Sequence, residues 1–334
     1  MKANYFKYLL QFKRPSGTSR GVLLDKETFI LEVSENGRKG TGECAVFRGL
    51  SFDDRPDYEE KLKWLCENIE KSPLDLKEEL KEFPSIWFGY EQAVLNLKYG
   101  RNIYFPGEFT DGKSAITING LIWMGDVGYM EEQIKDKLDK GFHCIKLKIG
   151  VNWNSEHIIL RKLREKFSKD QLELRVDANG GFSKEQAVIV LQQLADLNIH
   201  SIEQPIKAGH WADMAELCAH TPTPIALDEE LIGIIDSEKK QKLLEVIKPQ
   251  YIILKPALVG GFSGSDEWIS IAEEQQIGWW ITSALESNIG LNAIAQYTFT
   301  KKNPMPQGLG TGSLFVNNFE SDLDLRNELL WFKI

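Results

Sequence analysis

The sequence predicts an α/β protein, a (β/α)-barrel of modified TIM type, (β/α)7β, with an N-terminal α+β capping domain. Three observations predict it. From about residue 114, strand-like and helix-like segments alternate with a repeat of about 25–29 residues, one βα unit each. The residues before that point read as strands followed by helices, with no alternation. Charged side chains recur near the C-terminal ends of five consecutive strand-like runs, which meet at one mouth in a closed barrel.

Composition narrows the function classes. The 334 residues are 42% hydrophobic and 27% charged, ordinary for a globular enzyme. A net charge of −9 disfavours nucleic acid or an anionic membrane and leaves a small molecule as the expected partner. The chain is expected to act as a monomer or homo-oligomer. Cys44, Cys66, Cys144 and Cys218 have no CxxC spacing, so they read as reduced thiols rather than a zinc or redox site. The first residues are too polar for a signal peptide and no apolar run reaches a membrane span, giving a cytoplasmic expectation. The five histidines form no metal-binding pair and offer no Ser-His-Asp triad.

Residues 1–50 read as strands, with a hairpin turn at ENGRKG (35–40). The polar run 13–21, KRPSGTSRG, reads as a loop between strands, either a plain hairpin loop or a segment that closes over a ligand. Residues 57–100 repeat apolar positions at helical spacing and stop at Gly100. The capping domain is therefore placed at 1–113. The barrel is placed at 114–314, with strands expected near 115–123, 144–150, 172–180, 200–205, 224–230, 251–256 and 278–287 and a weak one near 307–310. Ser183, three residues before Gln186, reads as a helix N-cap. The tail 315–334 is expected to pack back on the capping domain.

Lys148, Asp177, Glu203, Asp228 and Lys255 end consecutive strands at spacings of 29, 26, 25 and 27 residues. Three carboxylates without His or Cys make a hard-oxygen site suited to Mg²⁺, with Mn²⁺ as a substitute. The flanking lysines would face each other across a carboxylate substrate, one taking an α-proton while the metal stabilises the enediolate. Lys146 shares a strand face with Lys148 and should sit deeper, holding the substrate carboxylate and lowering the basicity of Lys148. Asn179 either donates to substrate or metal ligands or simply makes the turn before Gly180-Gly181. Arg175 either meets a second substrate carboxylate or neutralises carboxylates inside the barrel. Ser283 and Glu286 are candidate substrate contacts. Glu229 should point away from Asp228 and support it from behind.

KLK (146–148), VDANGGF (176–182), IEQP (202–205), LDE (227–229) and LKPALVGG (254–261) resemble the enolase superfamily, muconate-lactonizing subgroup. TSALESNIGLNAIAQ (282–296) and GLGTGSLF (308–315) resemble its o-succinylbenzoate synthase family. The resemblance implies a Mg²⁺-dependent syn-dehydration of 2-succinyl-6-hydroxy-2,4-cyclohexadiene-1-carboxylate in menaquinone biosynthesis. It implies Asp177, Glu203 and Asp228 as metal ligands, Lys148 as base and then acid, and Lys255 as an electrostatic stabiliser. It also implies that specificity lies in 13–21, with Arg20 as a candidate contact, and in AVFRGLS (45–51). The subgroup's dipeptide epimerases carry an Asp-x-Asp near the eighth strand; GLGTGSLF has no Asp, which counts against that activity. An N-succinyl- or N-acylamino acid racemase remains open, as does, in another class, a barrel that binds without catalysis.

Overall fold

A computed structural model of the chain describes residues 1–18 and 21–334. β1 (Lys2–Thr18), β2 (Gly21–Glu35) and β3 (Arg38–Cys44) form an antiparallel meander. Asn36 and Gly37 carry φ of 50° and 77° between β2 and β3, a left-handed pair that suits a two-residue hairpin. Three helices follow: α1 (Tyr58–Glu67), α2 (Pro73–Glu79) and α3 (Pro84–Tyr99). α3 lies directly on β3. A Cβ at Gly42 would collide with the Gly89 carbonyl oxygen, and one at Gly89 with the Cys44 sulfur. The open edge of β3 is satisfied by side chains of α3: Thr41 N donates to Asn96 Oδ1 (3.0 Å) and Glu43 N to Gln92 Oε1 (3.2 Å). Phe29, Leu31, Tyr58, Leu62 and Ile86 are among the residues of this unit's own apolar core.

β4 (Ile116–Thr117) leads into the barrel sheet, which begins at β5 (Gly120–Ile122), followed by α4 (Val127–Asp139). It continues through β6 (Cys144–Lys148), α5 (Trp153–Lys166), β7 (Glu173–Asp177), α6 (Lys184–Asp196), β8 (Ser201–Glu203), α7 (Trp211–His220) and β9 (Ile225–Leu227). It ends with α8 (Ser237–Ile247), β10 (Tyr251–Leu254), α9 (Pro256–Val259), α10 (Gly261–Glu274), β11 (Gly278–Ile281) and α11 (Asn288–Thr300). β5 to β11 pair in parallel in chain order. Ser183 and Gln186 form the expected reciprocal cap on α6.

Three expectations are corrected in detail. β1 runs through most of the segment read as a loop, to Thr18. Its turn-prone residues produce a break in register between Gln11 and Ser16, where Phe12 bridges Phe315 and Lys13 N donates to Leu314 O. Arg20 lies outside the described residues. The weak eighth strand reduces to two parallel bridges, Gln307 to Ile118 and Gly308 to Thr282. Pro304 and Pro306 just before it have no N–H to extend a ladder. The tail divides. Phe315 to Phe319 runs along β1, whereas β12 (Leu323–Arg326) and β13 (Leu329–Phe332) form a hairpin that pairs with β4. The sequence signal for that hairpin is short, and its apolar face goes to the nearest open edge.

Candidate active site

The parallel register aligns the charged residues. Lys148 sits opposite Asp177, and Asp177 opposite Glu203, on three adjacent strands. Asp228 and Lys255 follow one residue after β9 and β10. Lys148 Nζ donates to Asp177 Oδ2 (2.9 Å) and to Asn179 Oδ1 (2.8 Å). Lys146 Nζ donates to Glu203 Oε2 (2.7 Å) and lies 3.7 Å from Asp177. Lys255 pairs with Asp228 and lies 3.7 Å from Glu203. Asn179 and Gln204 adopt φ of 45° and 40°, so the chain turns left-handed immediately past two of the carboxylates.

At Asp177, Lys146 and Lys255 burial opposes charge and the charged partners overcome it, whereas at Asp228 burial, with Glu229, Glu203 and Asp177 nearby, prevails over Lys255 and raises the carboxyl. Burial pushes Asp177 up, but Lys148, Lys146 and Lys255 hold its carboxylate well below the usual range. Burial pulls Lys146 down, but Glu203 and Asp177 hold it above the ordinary lysine value. Lys146 therefore spends its proton on two carboxylates rather than standing as a bare like charge beside Lys148. Lys255 is likewise pulled down by burial and held well up by Asp228, Glu203, Glu229 and Asp177.

The donor set fits a hard divalent cation. Asp177, Glu203 and Asp228 are each at most 2% exposed and offer only oxygen. Glu203 Oε1 is buried and accepts no hydrogen bond among the described residues. As placed, no three of the described His, Cys, Asp or Glu side chains are gathered around one point, because lysine ammonium groups stand between the carboxylates.

Above the charges opens a cleft lined by Lys146, Lys148, Lys255, Asn179, Trp123 and Ser283, among others. Phe47 and Leu50 of the run 45–51 reach it, while Arg48 turns away to Glu27 and Asp54. Lys148 Nζ lies 5.9 Å from the centre of the Trp123 ring, a cation–π arrangement. Ser283 Oγ is 2.6 Å from Thr311 Oγ1. Two expected contacts are absent from the cleft. Arg175 is buried farther down the barrel, donating to Glu173 (2.7 Å) and Pro306 O (2.9 Å) over the Trp280 ring. It shares a face with Asp177 and sits opposite Lys146, but its guanidinium runs back along the strand to Glu173 rather than toward the mouth. Glu286 is fully buried behind the wall, where it accepts from Ala284 N (2.7 Å), and burial raises its carboxyl to about 7. Glu229 does not point away from the site: its Oε1 accepts from Asn179 Nδ2 (3.0 Å). The turn at Glu229–Leu231 redirects it from the strand alternation expected of a residue after Asp228.

Sequence reading missed Gln204. Its Oε1 accepts from the N–H groups of Asp228 (3.1 Å) and Glu230 (3.2 Å), tying two strand ends together. Its place in IEQP beside Glu203 was the available signal.

Residues 129–327 match the family model described as Enolase C-terminal domain-like. The chain belongs to the enolase superfamily. Within the superfamily it is similar to the o-succinylbenzoate synthase of Desulfotalea psychrophila (strain LSv54 / DSM 12343), with 44% identity over 99% of this chain and 98% of that protein. The crystal structure of MenC from Desulfotalea psychrophila LSv54 superimposes with a TM-score of 0.89 at 40% identity, covering 99% of both chains. A dipeptide epimerase from Enterococcus faecalis V583, complexed with Mg and the dipeptide L-Leu-L-Tyr, shares the fold at a TM-score of 0.84 and 19% identity, covering 99% of this chain and 96% of that one.

Proposed function

We propose that this enolase-superfamily chain is an o-succinylbenzoate synthase, a carbon–oxygen lyase that dehydrates 2-succinyl-6-hydroxy-2,4-cyclohexadiene-1-carboxylate to 2-succinylbenzoate in menaquinone biosynthesis. Full-length likeness to an o-succinylbenzoate synthase, with 44% identity, is the observation that carries the reading. Lys148 is the base. It takes the proton from the ring carbon that bears the carboxylate, leaving an enediolate. The electron pair then re-forms a ring double bond as the neighbouring C–O bond breaks. Lys148, now an ammonium on the same face, gives its proton to the departing hydroxide, which leaves as water. Lys255 stays protonated, and its ammonium offsets the charge on the enediolate. Lys146 orients the ring carboxylate from below. Asp177, Glu203 and Asp228 would hold Mg²⁺, which supplies positive charge against the substrate carboxylate. The reaction belongs to the cytoplasm, and no described helix is long and apolar enough to cross a membrane.

The test is the ultraviolet spectrum of the aromatic product, followed with Mg²⁺ and with EDTA. Metal-dependent aromatisation is expected; a folded, Mg²⁺-loaded sample that yields no product sinks the reading. Lys148 and Lys255 both line the cleft, which favours a second reading, racemisation of an N-succinylamino acid by paired acid and base. Exchange of the α-proton in D₂O with no aromatic product would select it.

A further inference from the structure

The wall of the cleft between β11 and α11 carries a strained residue. Leu285 adopts φ 62°, in the left-handed region that a leucine rarely enters. It lines the cleft and packs on Leu10, Trp123 and Phe315, so its position matters to whatever occupies the space. Such a conformation persists only where the surroundings over-determine it. Locally, Ser283 Oγ accepts from Leu285 N (3.2 Å) and Glu286 from Ala284 N (2.7 Å), and the N-terminal unit grips the residues that follow. Glu43, at the end of β3, is fully buried, and its carboxylate reaches the start of α11. Oε1 accepts from Ser287 N (3.0 Å) and Thr28 Oγ1 (2.8 Å); Oε2 accepts from Gly290 N (3.0 Å) and Ser287 Oγ (2.5 Å). A carboxylate at a helix N-terminus is favoured by both the free N–H groups and the dipole. Lys26, buried on β2, lies near Glu43 and Glu286; burial lowers its basicity and the two carboxylates work against that fall. Two residues before Ser287, the chain must make its left-handed step at Leu285.

The geometry points to Glu43 as a positioning residue for the reaction proposed above: by clamping Ser287 and Gly290 it holds Leu285 in its strained conformation and fixes the cleft wall that orients the substrate. The inference rests on that reaction for its kinetic readout. Its structural readout stands apart from it. Glu91 offers a comparison, because it makes the same kind of contact elsewhere. From α3 it accepts from Phe262 N (2.6 Å) and Ser263 N (3.1 Å) at the start of α10, whose first residues do not line the cleft.

Glu43→Gln and Glu91→Gln are compared with the wild-type enzyme in Mg²⁺ by steady-state kinetics and by hydrogen exchange of the 284–290 amides. In Glu43→Gln, KM is expected to rise about tenfold or more with kcat within about threefold, because the lysines and carboxylates are untouched. Exchange at 284–290 is expected to quicken by about tenfold or more. In Glu91→Gln both readouts should stay within about twofold. A wild-type KM in Glu43→Gln, or an equal rise in Glu91→Gln, overturns the inference. A wild-type protein that makes no aromatic product fails the reaction, and the exchange experiment still decides about Glu43. If Glu43→Gln does not fold, Thr28→Val removes one of the four donors and keeps the charge. A rise of about two- to threefold in KM is then expected, and no change in KM or exchange overturns the assignment. For the strain itself, Leu285→Gly should melt higher than Leu285→Ala, since glycine adopts this φ freely. The reverse order overturns it.

Discussion

Lys148 touches Asp177 and Asn179 on one side and the open cleft on the other, so its removal tests the assignment of the base. Lys148→Ala should lower kcat by at least about 10²-fold while the fold, followed by circular dichroism, is unchanged. The five charged residues were legible because two short-range rules place them: period 2 within a strand and one βα unit between strands. Arg175 shows where those rules stop. Parity gives the face of a strand but not the direction a long side chain takes: Lys146 and Arg175 are register partners, yet only Lys146 reaches the cleft while Arg175 closes a buried ion pair with Glu173. Glu43 and Gln204 were harder to read, because backbone N–H groups are among their partners and carry no mark in the sequence; only the place of Gln204 in IEQP pointed to it. Away from the site, Asp53 gives a prediction about pH. It accepts from Ser85 N (2.9 Å) and Ser85 Oγ (2.7 Å), yet burial raises its carboxyl from 3.8 to about 6. The folded state therefore keeps this proton longer than the unfolded chain does. The stability contribution is greatest below pH 4 and is lost as pH rises through about 6, a span worth about 3 kcal/mol. Asp53→Asn should flatten that part of the stability–pH curve in urea titrations.

At the scale of elements, helices with a clear apolar stripe and strands followed by a cap were readable from local pattern alone, as α6 with Ser183 and Gln186 illustrates. The long hairpin β1–β2 was not. Pro15 and Gly17 are turn-formers, and the sequence cannot say that Pro15 sits in a register break whose far side pairs again at Ser16, Gly17 and Thr18. The contact of α3 with β3 depends on absent side chains. Gly42→Ala should destabilise the protein by about 1–3 kcal/mol, because the added methyl meets backbone that has nowhere to move. A wild-type urea midpoint for this variant would contradict the close packing.

At the scale of the whole molecule, the carboxylates at the barrel mouth are held together at a cost that a bound cation would offset. Mg²⁺ at about a hundredfold above its Kd should add about 2.7 kcal/mol to the folded state, and EDTA should remove it. Thermal melts with and without the ion check this, and Asp228→Asn should abolish the difference. The barrel itself closes on little. β5 to β11 are joined by ladders, but among the described residues the circle is completed only by the bridges of Gln307 and Gly308, with the Gln307 side chain accepting from Ile281 N (2.8 Å). Ile118 and Gln307 are about 190 residues apart in the chain, so their meeting carries a large loop-closure entropy and is rewarded by few bonds. Folding should therefore proceed as an open, growing sheet that curls last, with the amides of Asn119, Gln307 and Gly308 the final ones protected in pulse-labelled hydrogen exchange. The mouth, and with it the power to bind substrate, would come into being in that last step rather than with the strands that bear its charges.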